Sequence, residues 1–169
     1  MKLIEAMKQL KSLNIKAEDF RKKISVHCAD LTYETPLYPD QKSVVDGWLQ
    51  AHSDVLKEIL RLRLAIQRTN LATQVVVDLG GAPVTKSIAE WIHRRRDLAK
   101  LEMAAWSALG DRGLKEGNAQ TTQGTVQEIR IRRYYNPMDR DQKIALYREE
   151  PMKVDAALEI VNAVTDLKE

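Results

Sequence analysis

Between Val45 and Ile66 apolar side chains recur at alternating intervals of three and four residues, through Val45, Trp48, His52, Val55, Ile59, Leu62 and Ile66. That 3.5-residue repeat predicts a helix with one continuous seam. Leu49, Leu56, Leu60 and Leu64 add a second apolar row. The helix is therefore expected to touch neighbours on two sides. With an N-cap at Asp40 or Ser43 and an end near Thr69, it covers residues 43–69 and spans roughly 40 Å. A rod of that length restricts the fold, because only other long elements can cover it.

The N-terminal segment supplies one. Leu3, Leu10, Ala17, Ile24 and Leu31 recur every seven residues, predicting a helix over 2–31. The intervening seam positions, Met7, Asn14, Arg21 and Cys28, are half polar, and Ile15 and Phe20 widen the stripe. Asn14 reads either as a register device or as a solvated polar position. Pro36 and Pro39 then force a turn.

Beyond residue 70 the pattern changes. The β-branched run Val75-Val76-Val77, closed by Gly80-Gly81, predicts a strand over 74–78 and a tight turn. A third helix is expected over 85–109, capped by Thr85 and ended by Gly110, with Ile88, Trp91, Ile92, Leu98, Ala105, Trp106 and Leu109 inward. Residues 110–124 hold four of the seven glycines and read as a loop. Alternation over 125–133, with Ile129 and Ile131 on one face, predicts a second strand, whose expected partner is 74–78. Asp139 followed by Gln142 resembles a capping box for a final helix over 139–167. Ile144, Tyr147, Val154, Leu158, Val161 and Val164 would face inward, and Pro151 predicts a kink. The expected fold is mainly α: one helical domain over 1–169, a coiled-coil-like bundle of four long helices, the last kinked near Pro151, with a small two-stranded β ribbon.

Composition narrows function mostly by exclusion. Aromatic residues are only 5%, which favours helices packed on helices over a sandwich of short strands. The formal charge of +3 is modest for a protein that wraps nucleic acid. A lone cysteine excludes an intrachain disulfide. The charged N-terminal segment lacks a signal-peptide core, and no run of about 18 apolar residues exists to span a bilayer. The expected location is cytoplasmic.

No residue pattern points to catalysis. His27 and Cys28 are adjacent, so on a helix they diverge by about 100° and chelate poorly. His52 falls in a helix seam, where a hydrogen-bonded core or edge histidine is the simpler reading. No metal-ligand spacing, phosphate-cradling glycine motif or paired nucleophile and base is visible. No cofactor, metal or catalytic residue is therefore assigned. The sharpest charge features are Arg94, Arg95 and Arg96, next to His93 and Lys100, and a second group of Arg130, Arg132 and Arg133 with Arg140. Both groups are candidate contacts for nucleic acid or a protein partner. Glu90 and Asp97 make a salt-bridged helix face the alternative for the first group.

The stretch Ile66 to Thr73, with Arg68-Thr69-Asn70 at its centre, resembles a septicolysin-like family of small bacterial and phage helical proteins of unknown function. Arg96-Asp97-x-Ala99 and the ending Asn162-x-x-Thr165-x-Leu167 extend the resemblance along the chain. Pro151, Gly80-Gly81 and the length of the 110–124 loop depart from the family pattern. The resemblance implies a helical coiled-coil fold with a small β element and no established catalytic residues. Arg68, Thr69 and Asn70, with Asn162, are expected to form a structural polar network at helix ends. The combined expectation is a non-enzymatic, self-associating structural or scaffolding protein, a homo-oligomer with protein partners in a larger assembly. The family implies a phage or prophage setting, and then a virion-associated location. It also implies, as an alternative, a pore-forming, membrane-active protein; the arginine groups offer a nucleic-acid-binding accessory role as another.

Overall fold

The computed structural model describes residues 1–168, which are mainly helical. They divide into two compact units, so the single domain expected over 1–169 is resolved more finely. The first comprises Met1–Gln74, Ser87–Ala89 and Leu158–Glu169; the second comprises Val75–Lys86 and Glu90–Ala157.

In the first unit, α1 (Leu3–His27) packs against α2 (Gln41–Ala72). The seam is built on Ala17, Val55 and Ile59, flanked by Leu10, Leu13 and Phe20. Small Ala17 lets the backbones approach, and Phe20 fills the space beside it. Helix α1 stops at His27 rather than 31, and Leu31 is exposed. The physical reason is a cap. Gln41 Nε2 donates to the His27 carbonyl at 3.0 Å, while Gln41 Oε1 accepts from Tyr38 N at 3.2 Å. His27, Tyr38 and Trp48 then cluster with ring centroids 5.5–6.2 Å apart. Asp40 is the N-cap of α2, accepting from Ser43 N at 3.0 Å. Asn14 turns back on its own helix, donating to the Leu10 carbonyl at 2.8 Å.

The far end of α2 is tied to both chain ends. Thr69 is fully buried; its Oγ1 donates to the Ala65 carbonyl and accepts from Lys168 N, both at 2.8 Å. Leu3 N donates to Thr165 O and Leu167 N to Met1 O, each at 2.9 Å, forming an antiparallel bridge. Lys2 Nζ donates to the Val164 carbonyl at 2.9 Å and pairs with Asp166 at 2.9 Å. An ammonium there satisfies a carbonyl at a helix C-terminus, where the helix dipole is negative.

The strands correct the expected pairing. β1 (Gln74–Leu79) pairs with β2 (Ala82–Ser87), not with the later strand. Gly80 and Gly81, with φ of 66° and 84°, make the two-residue turn, and Gly81 N donates to Asp78 Oδ1 at 2.7 Å. Two successive positive φ values suit a hairpin because they match the twist of its strands. A Cβ on Gly80 would lie 2.8 Å from Leu146 Cδ1, so glycine there also admits the last helix. Thr85 lies inside β2 and caps nothing. Pro83 hides this strand from propensity, yet a two-stranded ribbon has free edges that tolerate it.

Three helical segments follow without a break: α3 (Ile88–His93), a π-helical turn (Arg94–Leu98) and α4 (Ala99–Ser107). The π turn inserts one residue into the helical count. Consequently Ala99, not Leu98, joins Trp91 on the buried face, and Leu98 is exposed. Trp91 is fully buried, with its Nε1 donating to the Val75 carbonyl at 3.0 Å.

The second ribbon lies in part of what reads as loop. β3 (Gly117–Gln120) pairs antiparallel with β4 (Val126–Ile129), Gly117 opposite Ile129 and Gln120 opposite Val126. Its strand residues are exposed except for half-buried Ala119. Helix α5 (Pro137–Val164) begins two residues before the expected start. Asn136 Oδ1 accepts from Met138 N at 2.9 Å, making Asn136 the cap, and Pro137 takes the first helical position, where a missing N–H costs nothing. Pro151 sits inside α5, which continues across it as one helix. Val154 and Leu158 are buried as expected, whereas Val164 is exposed.

Replacing Thr69 by Val should keep the shape but remove both hydrogen bonds, leaving Lys168 N unsatisfied. A loss of about 1–3 kcal/mol is expected in urea unfolding.

Candidate interaction surfaces

The residues of the first arginine group do not point to a common target. Arg94 is drawn inward, its Nε and Nη2 donating to the two carboxylate oxygens of Glu150 at 2.6 and 2.7 Å. Glu150 is completely buried, one residue before Pro151 on α5. Glu102 also accepts from Arg94, at 3.3 Å, and the guanidinium lies 5.6 Å from the Tyr147 ring centroid. The Glu150 hydrogen bond raises the Arg94 pKa further, and burial pushes the Tyr147 phenol up. Arg95 instead pairs with Asp155 at 2.6 Å, and Arg96 Nη2 lies 3.0 Å from His93 Nδ1. The run thus has partners within the chain, and Arg94, the first residue of the π turn, meets Glu150.

The second group is dispersed less completely. Arg130 pairs with Glu128 at 2.9 Å. Arg133 grips Asp111 through Nε and Nη2 at 2.7 and 2.6 Å. Tyr135 OH approaches the same carboxylate at 3.4 Å. Arg140 Nη1 donates to the Leu109 carbonyl at 3.2 Å, Nε donates to Asp141 at 2.8 Å, and the guanidinium lies 5.6 Å from the Tyr135 ring centroid. Arg132 lies between them in sequence and lines the adjoining hollow. The Arg133 hydrogen bond holds the Asp111 carboxyl below the usual range, and the same bond raises Arg133.

Two hollows share Asp111, Arg133 and Tyr135. One, of about 300 Å³, is lined also by Leu109, Arg112, Leu114, Ile131, Arg132 and Tyr134. The other, of about 260 Å³, adds Pro137 and Arg140. The rim is a tight turn in which Leu114 N donates to Asp111 O at 2.9 Å, with φ of 56° at Arg112 and 72° at Gly113. A left-handed conformation costs a side-chain-bearing residue about 1–2 kcal/mol. Glycine or asparagine would be the local choice, so Arg112 is held there at a cost.

The expected polar network is only partly assembled. Thr69 carries it, Arg68 is exposed, Asn70 is half-buried, and Asn162 Oδ1 is buried without a hydrogen-bond partner. Beside them, α2 shows a second feature. Leu49, Leu56, Leu60, Leu64 and Leu71 are all 42–59% exposed. At 100° per residue they fall within about 80° of one another, opposite the face that buries Val55, Ile59, Leu62 and Ala65. The second apolar row of α2 is therefore open to solvent, and it extends to Leu71.

Among the described residues, no group of three or more His, Cys, Asp and Glu side chains could hold a metal ion, and no helix is long and apolar enough to cross a membrane. No protein-family model and no curated protein matches the chain. In structure it is similar to a functionally unknown conserved protein from Corynebacterium diphtheriae, 18% identical over 99% of each chain, with a TM-score of 0.58. That likeness concerns the fold alone.

Arg94→Ala would leave the Glu150 carboxylate buried and unpaired, and should cost about 3–5 kcal/mol. Arg94→Met with Glu150→Leu should recover most of this, as a double-mutant cycle in urea would show. For Asp111 the folded pKa is depressed, so its stabilising contribution is present above the unfolded pKa and lost as pH falls through the lower folded value. In Arg133→Ala the Asp111 carboxyl, followed by NMR, should titrate at higher pH than in the wild type.

Proposed function

We propose that the protein is a non-enzymatic, self-associating helical scaffold whose subunits meet through α2 in a coiled-coil-like pair. The exposed leucine row supports this reading. Its spacing is symmetric about Leu60: Leu56 and Leu64 lie four residues to either side, Leu49 and Leu71 eleven. An antiparallel second copy would set Leu49 against Leu71 and Leu56 against Leu64, with Leu60 on the two-fold axis. Self-complementarity of this kind is what a two-fold homodimer needs. The same register pairs Ser53 with Gln67 and Gln50 with Asn70, polar with polar.

Magnitudes place the association in a modest range. Ten half-exposed leucines across two copies contribute about 1 kcal/mol each on burial, about 10 kcal/mol in all. Association itself costs about 4–15 kcal/mol. A reversible dimer follows rather than an obligate one. Lys57 would lie near Arg63 of the other copy, a repulsion that salt screens.

The scaffold, once paired, could serve a larger assembly of the phage or prophage kind that the resemblance suggests. Sedimentation velocity from 1 to 200 µM tests the reading. A concentration-dependent dimer is expected, tightening between 50 and 500 mM NaCl. Leu60→Asp, which sets two carboxylates on the axis at an exposed position, should give a monomer whose melting temperature matches the wild type at low concentration and lacks its rise with concentration. A wild type that stays monomeric throughout would overturn the proposal.

A further inference from the structure

We propose that the trough between the Asp111–Leu114 turn and the Ile131–Tyr135 segment binds a nucleotide phosphate together with its unstacked base, supplied by a single-stranded nucleic acid or a free nucleotide. Three independent observations converge on it. First, the trough combines an apolar lining with basic side chains: Leu109, Leu114 and Ile131 share it with Arg112 and Arg132. The adjoining small hollow adds Arg140. Asp111 pairs with Arg133 and Asp141 with Arg140, so Arg112 and Arg132 supply the charge that meets a ligand.

Second, Tyr134 is 89% exposed beside this lining. A tyrosine normally buries much of its ring, so one left open next to arginines has the arrangement of a stacking platform. Its neighbour Tyr135 stacks instead against Arg140 and braces the wall. Third, Arg112 is held at positive φ, a conformation that glycine would adopt without strain. Strain kept at a binding rim is a recurrent mark of a functional position.

The chemistry favours a nucleotide over an acidic peptide. Guanidinium groups recognise phosphate and carboxylate alike, but a carboxylate peptide offers nothing planar for Tyr134 and the apolar lining. The trough differs from the Arg94–Arg96 run, where Arg94 and Arg95 already hold Glu150 and Asp155.

The test measures fluorescence anisotropy of labelled dT12 and rU12 at 50–300 mM NaCl, with AMP titrated separately by NMR. Binding by the oligonucleotides alone assigns the strand as the source, and binding by AMP as well assigns a nucleotide site; both support the proposal. Arg112→Ala and Arg132→Ala should each weaken oligonucleotide binding several-fold and reduce the salt slope by about one. Tyr134→Ala should weaken it on the order of tenfold with the slope unchanged. Arg112→Gly discriminates further, since it should raise the melting temperature while weakening binding. Arg21→Ala, which removes an equal charge from α1, should leave binding within twofold. No binding of either ligand at 50 mM NaCl would overturn the proposal. So would equal affinity for a labelled oligoglutamate peptide of the same length, or equal losses in Arg21→Ala and Arg132→Ala.

Discussion

The packing of α1 on α2 around Ala17, Val55 and Ile59 is the contact on which the first unit depends. It buries one face of a 32-residue helix and leaves the opposite face to solvent. Because α2 carries apolar rows on opposite sides, covering one row cannot cover the other. The Gln41 cap at the start and the Thr69 node at the end hold this helix in place. Between them they join the α1–α2 turn, the N-terminal residues and the end of α5 around buried Leu3, Leu62 and Leu158. Hydrogen bonds carry unusual weight here, since Thr69 is fully buried and would lose both partners together.

The second unit is organised differently. It holds a buried tryptophan, Trp91, anchored to Val75, and a buried carboxylate, Glu150, paired with Arg94 of the π turn. One extra residue in that turn rotates the following helix face, bringing Ala99 inward and releasing Leu98. Arg94, at its start, pairs with Glu150. A buried pair of this kind contributes little net stability over an apolar substitute, but it penalises any arrangement that separates the charges. The β1–β2 ribbon belongs to this centre, since Val75 and Val77 are buried and the Val75 carbonyl accepts from Trp91. The β3–β4 ribbon buries almost nothing, so its geometry rests on backbone pairing and on Glu116 accepting from Ile131 N at 3.1 Å.

Charge follows a similar logic. The basic run that dominates the sequence is absorbed into pairs within the chain, whereas the less conspicuous second group borders two hollows. Arg130, Arg133 and Arg140 of that group are also paired within the chain. Consecutive positions on a helix already spread Arg94, Arg95 and Arg96 around a turn; the fold sends them to Glu150, Asp155 and His93.

What the sequence determined by itself was local. The heptad-like rows predicted α1 and α2, Asp40 was among the expected caps, and Gly80-Gly81 marked its turn, because each depends on residues within a few positions. Leu49, Leu56, Leu60 and Leu64 were legible as a second row for the same reason. Only the tertiary structure decided which row is covered, which strands pair, and where each arginine finds its carboxylate. Several of those outcomes join residues far apart in sequence, as in Arg133 with Asp111, 22 positions away, and Arg94 with Glu150, 56 positions away. Pro83 and the glycine-rich stretch at 117 carry no strand propensity, so β2 and β3 exist through backbone pairing with a neighbour. No local pattern records the partner of a buried charge, since its energy comes from desolvation and contact across the fold.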